Sequence, residues 1–170
     1  MNFEIKKILV PVDFSEVANN ALAVAVAMAH RHKAQLHLLH VVQPQIYTDP
    51  TGMHSSILPE IEQTLLNDAK ENLKKHSAAI QKSNPLAVKT YVEIGTVAIS
   101  ISKYVRNNQK DLVVMGTHGT SGWNEFFLGS NAMATIKECS CPVLTIPPSF
   151  NKRTFDSILY PIRNVDGVVE

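Results

Sequence analysis

Hydrophobic residues occur along this chain in two alternating rhythms. Short unbroken apolar runs read as strands covered on both faces: Ile8–Val12, Gln35–Val42, Leu112–Met115 and Pro142–Ile146, with a more polar run over Ala87–Ile94. Between them, apolar positions recur at helical spacing. Val17, Ala21, Val24, Ala25 and Met28 mark a helix from Glu16 to about His32, capped by Ser15. Ile61, Leu65, Ala69, Leu73 and Ile80 mark a second from about Leu58 to Gln81, with Pro59 in its first turn. Thr96 is placed to cap a third over Val97–Asn107, and Ser130 to cap a fourth over Asn131–Glu138. Pro11 has no N–H for a ladder, so the first strand should end near it. Gln43–Ser56, with Pro44, Pro50 and Gly52, has no period and reads as a long loop. Strands alternating with helices predict an α/β fold with a parallel sheet and helices on both faces.

Such sheets bind ligands beyond the carboxyl ends of strands, where the winding reverses. Two stretches there carry candidate chemistry. Asp111–Asn131 runs from a strand through a loop with Gly116, Gly119 and Gly122 to Gly129, Ser130 and a helix start. Converging backbone N–H groups and the positive end of a helix can cradle a phosphate without a lysine; the competing reading is a surface loop with ordinary turn glycines. Asp13 follows the first strand, and reads either as a ligand-facing carboxylate or as a turn residue feeding the next helix. Val41 and Val42 end the second strand on the same edge, where an apolar surface can lie against a flat ring. If the first and fourth strands are neighbours, Asp13 and Gly116 share one crevice.

Composition narrows the partners. A hydrophobic fraction of 45%, a charged fraction of 18% and a net charge of +1 describe an ordinary globular protein, with no charge block suited to nucleic acid or a membrane surface. No apolar run is long enough to span a bilayer and no leader precedes the first strand, so the expected compartment is cytoplasmic. Cys139 and Cys141 read as reduced thiols flanking a strand start. His30 and His32 do not share a helix face, which argues against a metal pair. His37 and His40 point to opposite faces of their strand and read as structural.

The tail repeats the head. In FDSILYPI, Ile158, Leu159 and Pro161 match Ile8, Leu9 and Pro11, and Arg163 stands where Asp13 would be. The expected organisation is a nucleotide-binding domain over 1–148, a linker over 149–154, and over 155–170 the first strand of a truncated second repeat; the competing reading is a chance β-like tail. A strand without its helix should be mobile or borrowed by an edge.

ILVPVDFSEVANNAL at the head, LLHVV in the second strand, and glycine, two residues, glycine, nine residues, glycine and serine at Gly116, Gly119, Gly129 and Ser130 together resemble the universal stress protein family over Lys6–Pro147. The resemblance implies a Rossmann-like five-stranded parallel sheet of order 3-2-1-4-5. It implies ATP as ligand, with or without magnesium. Asp13 and Val41 would flank the adenosine, with Pro11, Val12 and Met115 beside them. Gly116, Gly119, Gly129 and Ser130 would hold the phosphates, helped by the backbone of His118 and Asn131. It also implies a homodimer through Val143–Ile146, or a pseudo-dimer with a second repeat. Thr120 stands where many relatives carry a basic residue, and Trp123, Phe126 and Phe127 make the inter-glycine segment aromatic.

The leading functional reading is a nucleotide-binding regulatory domain of the stress response, with no residue assigned to catalysis or to a metal. A GK[ST] sequence after the loop and a G-x-G-x-x-G after the first strand are both missing, which argues against a P-loop enzyme and a dinucleotide oxidoreductase. Two alternatives stay open. One is a slow ATPase or phosphotransferase, with Asp13 holding a metal and His118 carrying a proton. The other is a protein-interaction module with an empty crevice.

Overall fold

A computed structural model describes residues 4–43, 47–48, 54–55, 59–118, 128–150, 152 and 155. Its elements are β1 (Lys7–Pro11), α1 (Glu16–His32), β2 (Gln35–Val42), β3 (Tyr47–Thr48), β4 (His54–Ser55), α2 (Pro59–Ser83), β5 (Val88–Ile94), α3 (Val97–Asn108), β6 (Leu112–Gly116), α4 (Ser130–Glu138) and β7 (Val143–Ile146). The five longer strands form one parallel sheet in the order β5-β2-β1-β6-β7, which is 3-2-1-4-5 among themselves.

The unbroken apolar runs have the packing that their pattern requires. Ile8 and Val10 of β1, with Leu112 and Val114 of β6, join a core completed by Ala21, Val24, Ala25 and Ala29 of α1 and Leu73 of α2. Their neighbours Leu9, Val113 and Met115 join a second core with Ile101 and Val105 of α3 and Ala132 of α4. So α1 and α2 cover one face and α3 and α4 the other. Each fully buried Leu or Ile contributes roughly 1.5–3 kcal/mol, and β1 and β6 supply these to both faces. The alanines of α1 that face the sheet are fully buried, and their small side chains let the helix lie close to it.

Several boundaries differ from those the pattern predicts. The stretch read as a bare loop carries β3 and β4, an antiparallel pair with Tyr47 opposite Ser55. Two-residue strands are too short to leave a period. Ser15 caps α1 as expected, its Oγ accepting from the Ala18 N–H at 3.2 Å. Thr96 occupies the N-cap of α3, yet its hydroxyl makes no capping bond. Ser130 is not the cap of α4: the cap is Gly129, whose carbonyl accepts from the Met133 N–H at 2.9 Å, and Ser130 is the first helical residue. Among the described residues, no helix is long and apolar enough to cross a membrane.

The expected linker and second repeat fall largely outside the described residues. What is described of them sits against the domain. The Phe150 N–H closes a turn onto the Pro147 carbonyl, Phe150 packs on the α1 core, and its ring stacks on Phe155.

Candidate functional site

The two central strands part at their carboxyl ends. β1 and β6 pair only at Ile8↔Leu112 and Leu9↔Val113. Beyond that, β1 stays bound to β2 as far as Pro11↔Leu39, while β6 stays bound to β7 as far as Gly116↔Ile146. The crossovers run outward from this pair in opposite directions, so a crevice opens between them. Asp13 and Gly116 therefore border one cleft.

On the β1 side, the backbone makes a tight, fully bonded turn. The Val12 N–H donates to the Leu39 carbonyl at 2.9 Å. Asp13 Oδ1 accepts from the Ser15 N–H at 3.0 Å and the Ser15 Oγ–H at 2.6 Å. Asp13 is thus a turn residue, as one of its two readings has it. Both described bonds fall on Oδ1, and none falls on Oδ2. Phe14 takes a left-handed backbone, φ 64°, uncommon for a side chain of its size. Val41, next to last in β2, is half-buried against the α3 core, and Val12 is buried in the α1 core.

On the β6 side, the glycines prove to be needed for a reason other than an approaching anion. A Cβ on Gly116 would lie 2.8 Å from Val17 Cγ1, and one on Gly129 would lie 2.9 Å from the Thr117 carbonyl oxygen. They make room for the chain itself. Thr117 then ties the two ends of the glycine segment together: its N–H donates to the Ile146 carbonyl at 3.0 Å and its carbonyl accepts from the Gly129 N–H at 2.8 Å. That clasp brings the start of α4 to the mouth of the crevice. The Gly129 amide is therefore spoken for, whereas the first-turn N–H groups of Ser130, Asn131 and Ala132 have no acceptor inside the helix, and Gly129 has no side chain with which to cap them. Ser130 and Asn131 are exposed to solvent. His118 shares a hydrogen bond between its Nδ1 and the Thr117 hydroxyl at 3.0 Å.

At the carboxyl-terminal edge of the sheet stand Pro11 at the end of β1 with Val12 and Asp13 just past it, Val41 near the end of β2, and Met115 and Gly116 at the end of β6 with His118 just past it, while Gly129 is the N-cap of α4 and Ser130 and Asn131 are in its first turn. Met115 is buried with its side chain in the α3 core, so only its backbone can meet a ligand. Gly119, Gly122, Thr120, Trp123, Phe126 and Phe127 lie outside the described residues. Sequence reasoning read His40 as structural and gave it no part in the site, yet it is bonded to the turn that holds Asp13; its one signal for the site was its place beside Val41.

A second polar cluster occupies the opposite end of the sheet. His37, buried, receives or gives a hydrogen bond through Nδ1 to the Tyr104 hydroxyl at 2.8 Å, and its Nε2 lies 2.7 Å from Gln35 Oε1 and 2.9 Å from Lys110 Nζ. Its ring stacks on Tyr91, and Lys110 lies over the Tyr104 ring. Burial first, then the Lys110 and Lys89 charges, hold the His37 pKa down to about 4. Burial, with Lys7 and Lys89 nearby, lowers Lys110 to about 8 against the opposing pull of Asp111. Burial also pushes the Tyr104 hydroxyl up. The free thiols are similarly subdued: burial raises Cys139 to about 11 and raises Cys141.

Known proteins resemble this chain in sequence and in fold. A profile described as "Universal stress protein family" matches residues 4–147. Universal stress protein MJ0531 of Methanocaldococcus jannaschii is 32% identical over 143 residues, 83% of this chain and 81% of its own. The structure of universal stress protein UspA from Lactobacillus plantarum superposes with a TM-score of 0.71 at 30% identity, covering 85% of this chain and 99% of that one. The universal stress protein from Archaeoglobus fulgidus, solved in complex with dAMP, shares the fold with a TM-score of 0.58 at 16% identity, covering 85% of this chain and 98% of that one. The chain belongs to the universal stress protein family.

Proposed function

We propose that this protein binds an adenine nucleotide, with ATP as the ligand its loop spacing suits, in the crevice between β1 and β6, and that it acts as a binding module in stress regulation. The observation that carries this reading is the open first turn of α4. Its amides and the positive end of the helix lie near the carboxyl end of β6, where a phosphate chain would find N–H donors. Across the crevice, Asp13 Oδ2, on which none of the described bonds falls, would take a ribose hydroxyl or a magnesium ion, and Val41 would offer an apolar surface to the base. The dAMP complex of a protein with the same fold supports an adenine ligand.

The test follows from the cap geometry. Gly129 has φ −61° and ψ 154°, a backbone that a following proline accepts. Ser130→Pro therefore removes one donor at the first helical position without breaking α4. Titration with ATP and magnesium should give saturable binding to the native protein, weakened by about fivefold in Ser130→Pro, the value of one lost charge-assisted hydrogen bond of about 1 kcal/mol. Native protein that shows no saturation at millimolar ATP would overturn the reading.

An assembly belongs with it. β7 is an edge of the sheet, and Val143, Leu144 and Thr145 are only partly covered. An apolar edge of this kind pairs readily with a second copy or with a second repeat of the same fold.

A further inference from the structure

The residues on either side of Asp13 both meet a single imidazole, that of His40. Immediately before it, the Val12 carbonyl accepts a hydrogen bond from His40 Nδ1 at 2.7 Å. A carbonyl can only accept, so Nδ1 carries the hydrogen. Immediately after it, the Phe14 ring stacks on the same imidazole, centroids 4.7 Å apart and planes 25° apart, and leans on His76 of α2 at 5.4 Å. Phe14 makes that stack from a left-handed backbone, a conformation that costs roughly 1–2 kcal/mol. The turn would relax if the ring lost its partner. His40 thus supplies two things at once, an N–H aimed at one neighbour of Asp13 and a flat face for the other. It also precedes Val41 in β2, so the two positions that would flank an adenosine are joined through it.

We propose that His40 is a positioning residue for the nucleotide site: it braces the Val12–Phe14 turn so that the Asp13 carboxylate faces the crevice. This rests on the nucleotide-binding reading for its functional consequence, but the bracing itself does not depend on any ligand. Two substitutions separate the parts played by the ring. His40→Phe keeps a face for Phe14 and removes the donor. His40→Asn keeps a donor near the position of Nδ1 and removes the ring.

The experiment measures ATP affinity in the presence of magnesium for the native protein, His40→Phe, His40→Asn, Asp13→Ala and the Asp13→Ala/His40→Phe pair, with amide exchange at Ser15 followed in each ligand-free protein. His40→Phe should weaken ATP by about tenfold, and His40→Asn by no more than about threefold, since a hydrogen bond of this kind contributes about 0.5–1.5 kcal/mol. In the Asp13→Ala background the same substitution should change affinity by less than about twofold, because the residue being positioned is gone. The Ser15 amide, bonded to Asp13 Oδ1, should exchange several-fold faster in His40→Phe than in the native protein. Native-like affinity in His40→Phe, or an equal loss with and without Asp13, overturns the proposal. If the native protein itself fails to bind ATP, the nucleotide reading falls, and unchanged Ser15 exchange in His40→Phe would sink the bracing with it.

Discussion

The two ends of the sheet treat their polar groups in opposite ways. At the amino-terminal end, His37, Tyr104, Gln35 and Lys110 satisfy one another, and among the described residues no buried side-chain polar atom lacks a partner. At the carboxyl end, β1 and β6 separate, and the first-turn amides of α4 have no acceptor within their own helix. Both ends carry a histidine of β2. His37 closes a network inside the protein, whereas His40 holds a turn that borders the crevice. The difference shows how one parallel sheet divides its work: the end where polar groups are paired internally adds rigidity, and the end where they are not can still gain free energy from a ligand.

Gly116→Ala should produce the largest effect on this contrast. The new methyl meets Val17 at 2.8 Å, so α1 must shift, at a cost of about 1–3 kcal/mol in chemical denaturation. Any loss of nucleotide affinity in that variant would report displaced packing as well as a blocked phosphate. A variant with native stability would show that α1 and β6 are looser than their contact implies. Tyr104→Phe comes next. It leaves the buried His37 Nδ1 without its partner and should destabilise by about 1–2 kcal/mol with ATP affinity unchanged. A change in affinity would mean that the two ends of the sheet are coupled.

Ser130→Pro sharpens the comparison from the other side, with its effect of about 1 kcal/mol confined to ATP binding and the thermal midpoint nearly unaltered. Lys110→Met is read as a slope against pH and not as one free-energy value. Lys110 loses its proton at about 8 in the folded protein, against an ordinary value of 10.5, so between these pH values the unfolded chain binds more protons and stability rises with pH. Below about 8 both states are protonated and the cost of burying the charge is fully present. Lys110→Met should flatten that rise, measured as unfolding free energy at several pH values from 7.5 to 10. A slope unchanged from the native protein would assign the rise to another group. His37 acts in the same direction at lower pH, its contribution to stability growing as pH rises from about 4 to its ordinary value of 6.5.

How far the fold was legible depended on length and repetition. β1, β6 and α1 were readable because buried strands and an alanine-lined helix face each repeat their pattern over several residues. β3 and β4 were not, since two paired residues leave no rhythm. Ser130 was read one position out because serine suits both the cap and the first helical site; only the Gly129 carbonyl bond to Met133 decides between them.

The candidate site divides along the same line. Order along the chain, apolar runs and the glycine spacing were enough to predict a parallel sheet and a loop entering a helix, because these rest on local periodicity and on connections that the chain cannot avoid, whereas the strand order 3-2-1-4-5 came from the family resemblance. Three matters waited for the tertiary structure: that Gly116 clears space for Val17, that Thr117 closes the glycine segment onto Gly129, and that His40 steadies the neighbours of Asp13. Each is a contact between residues distant in sequence or between backbone and side chain, and composition carries no record of which partner a group will meet once the helices have packed on the sheet.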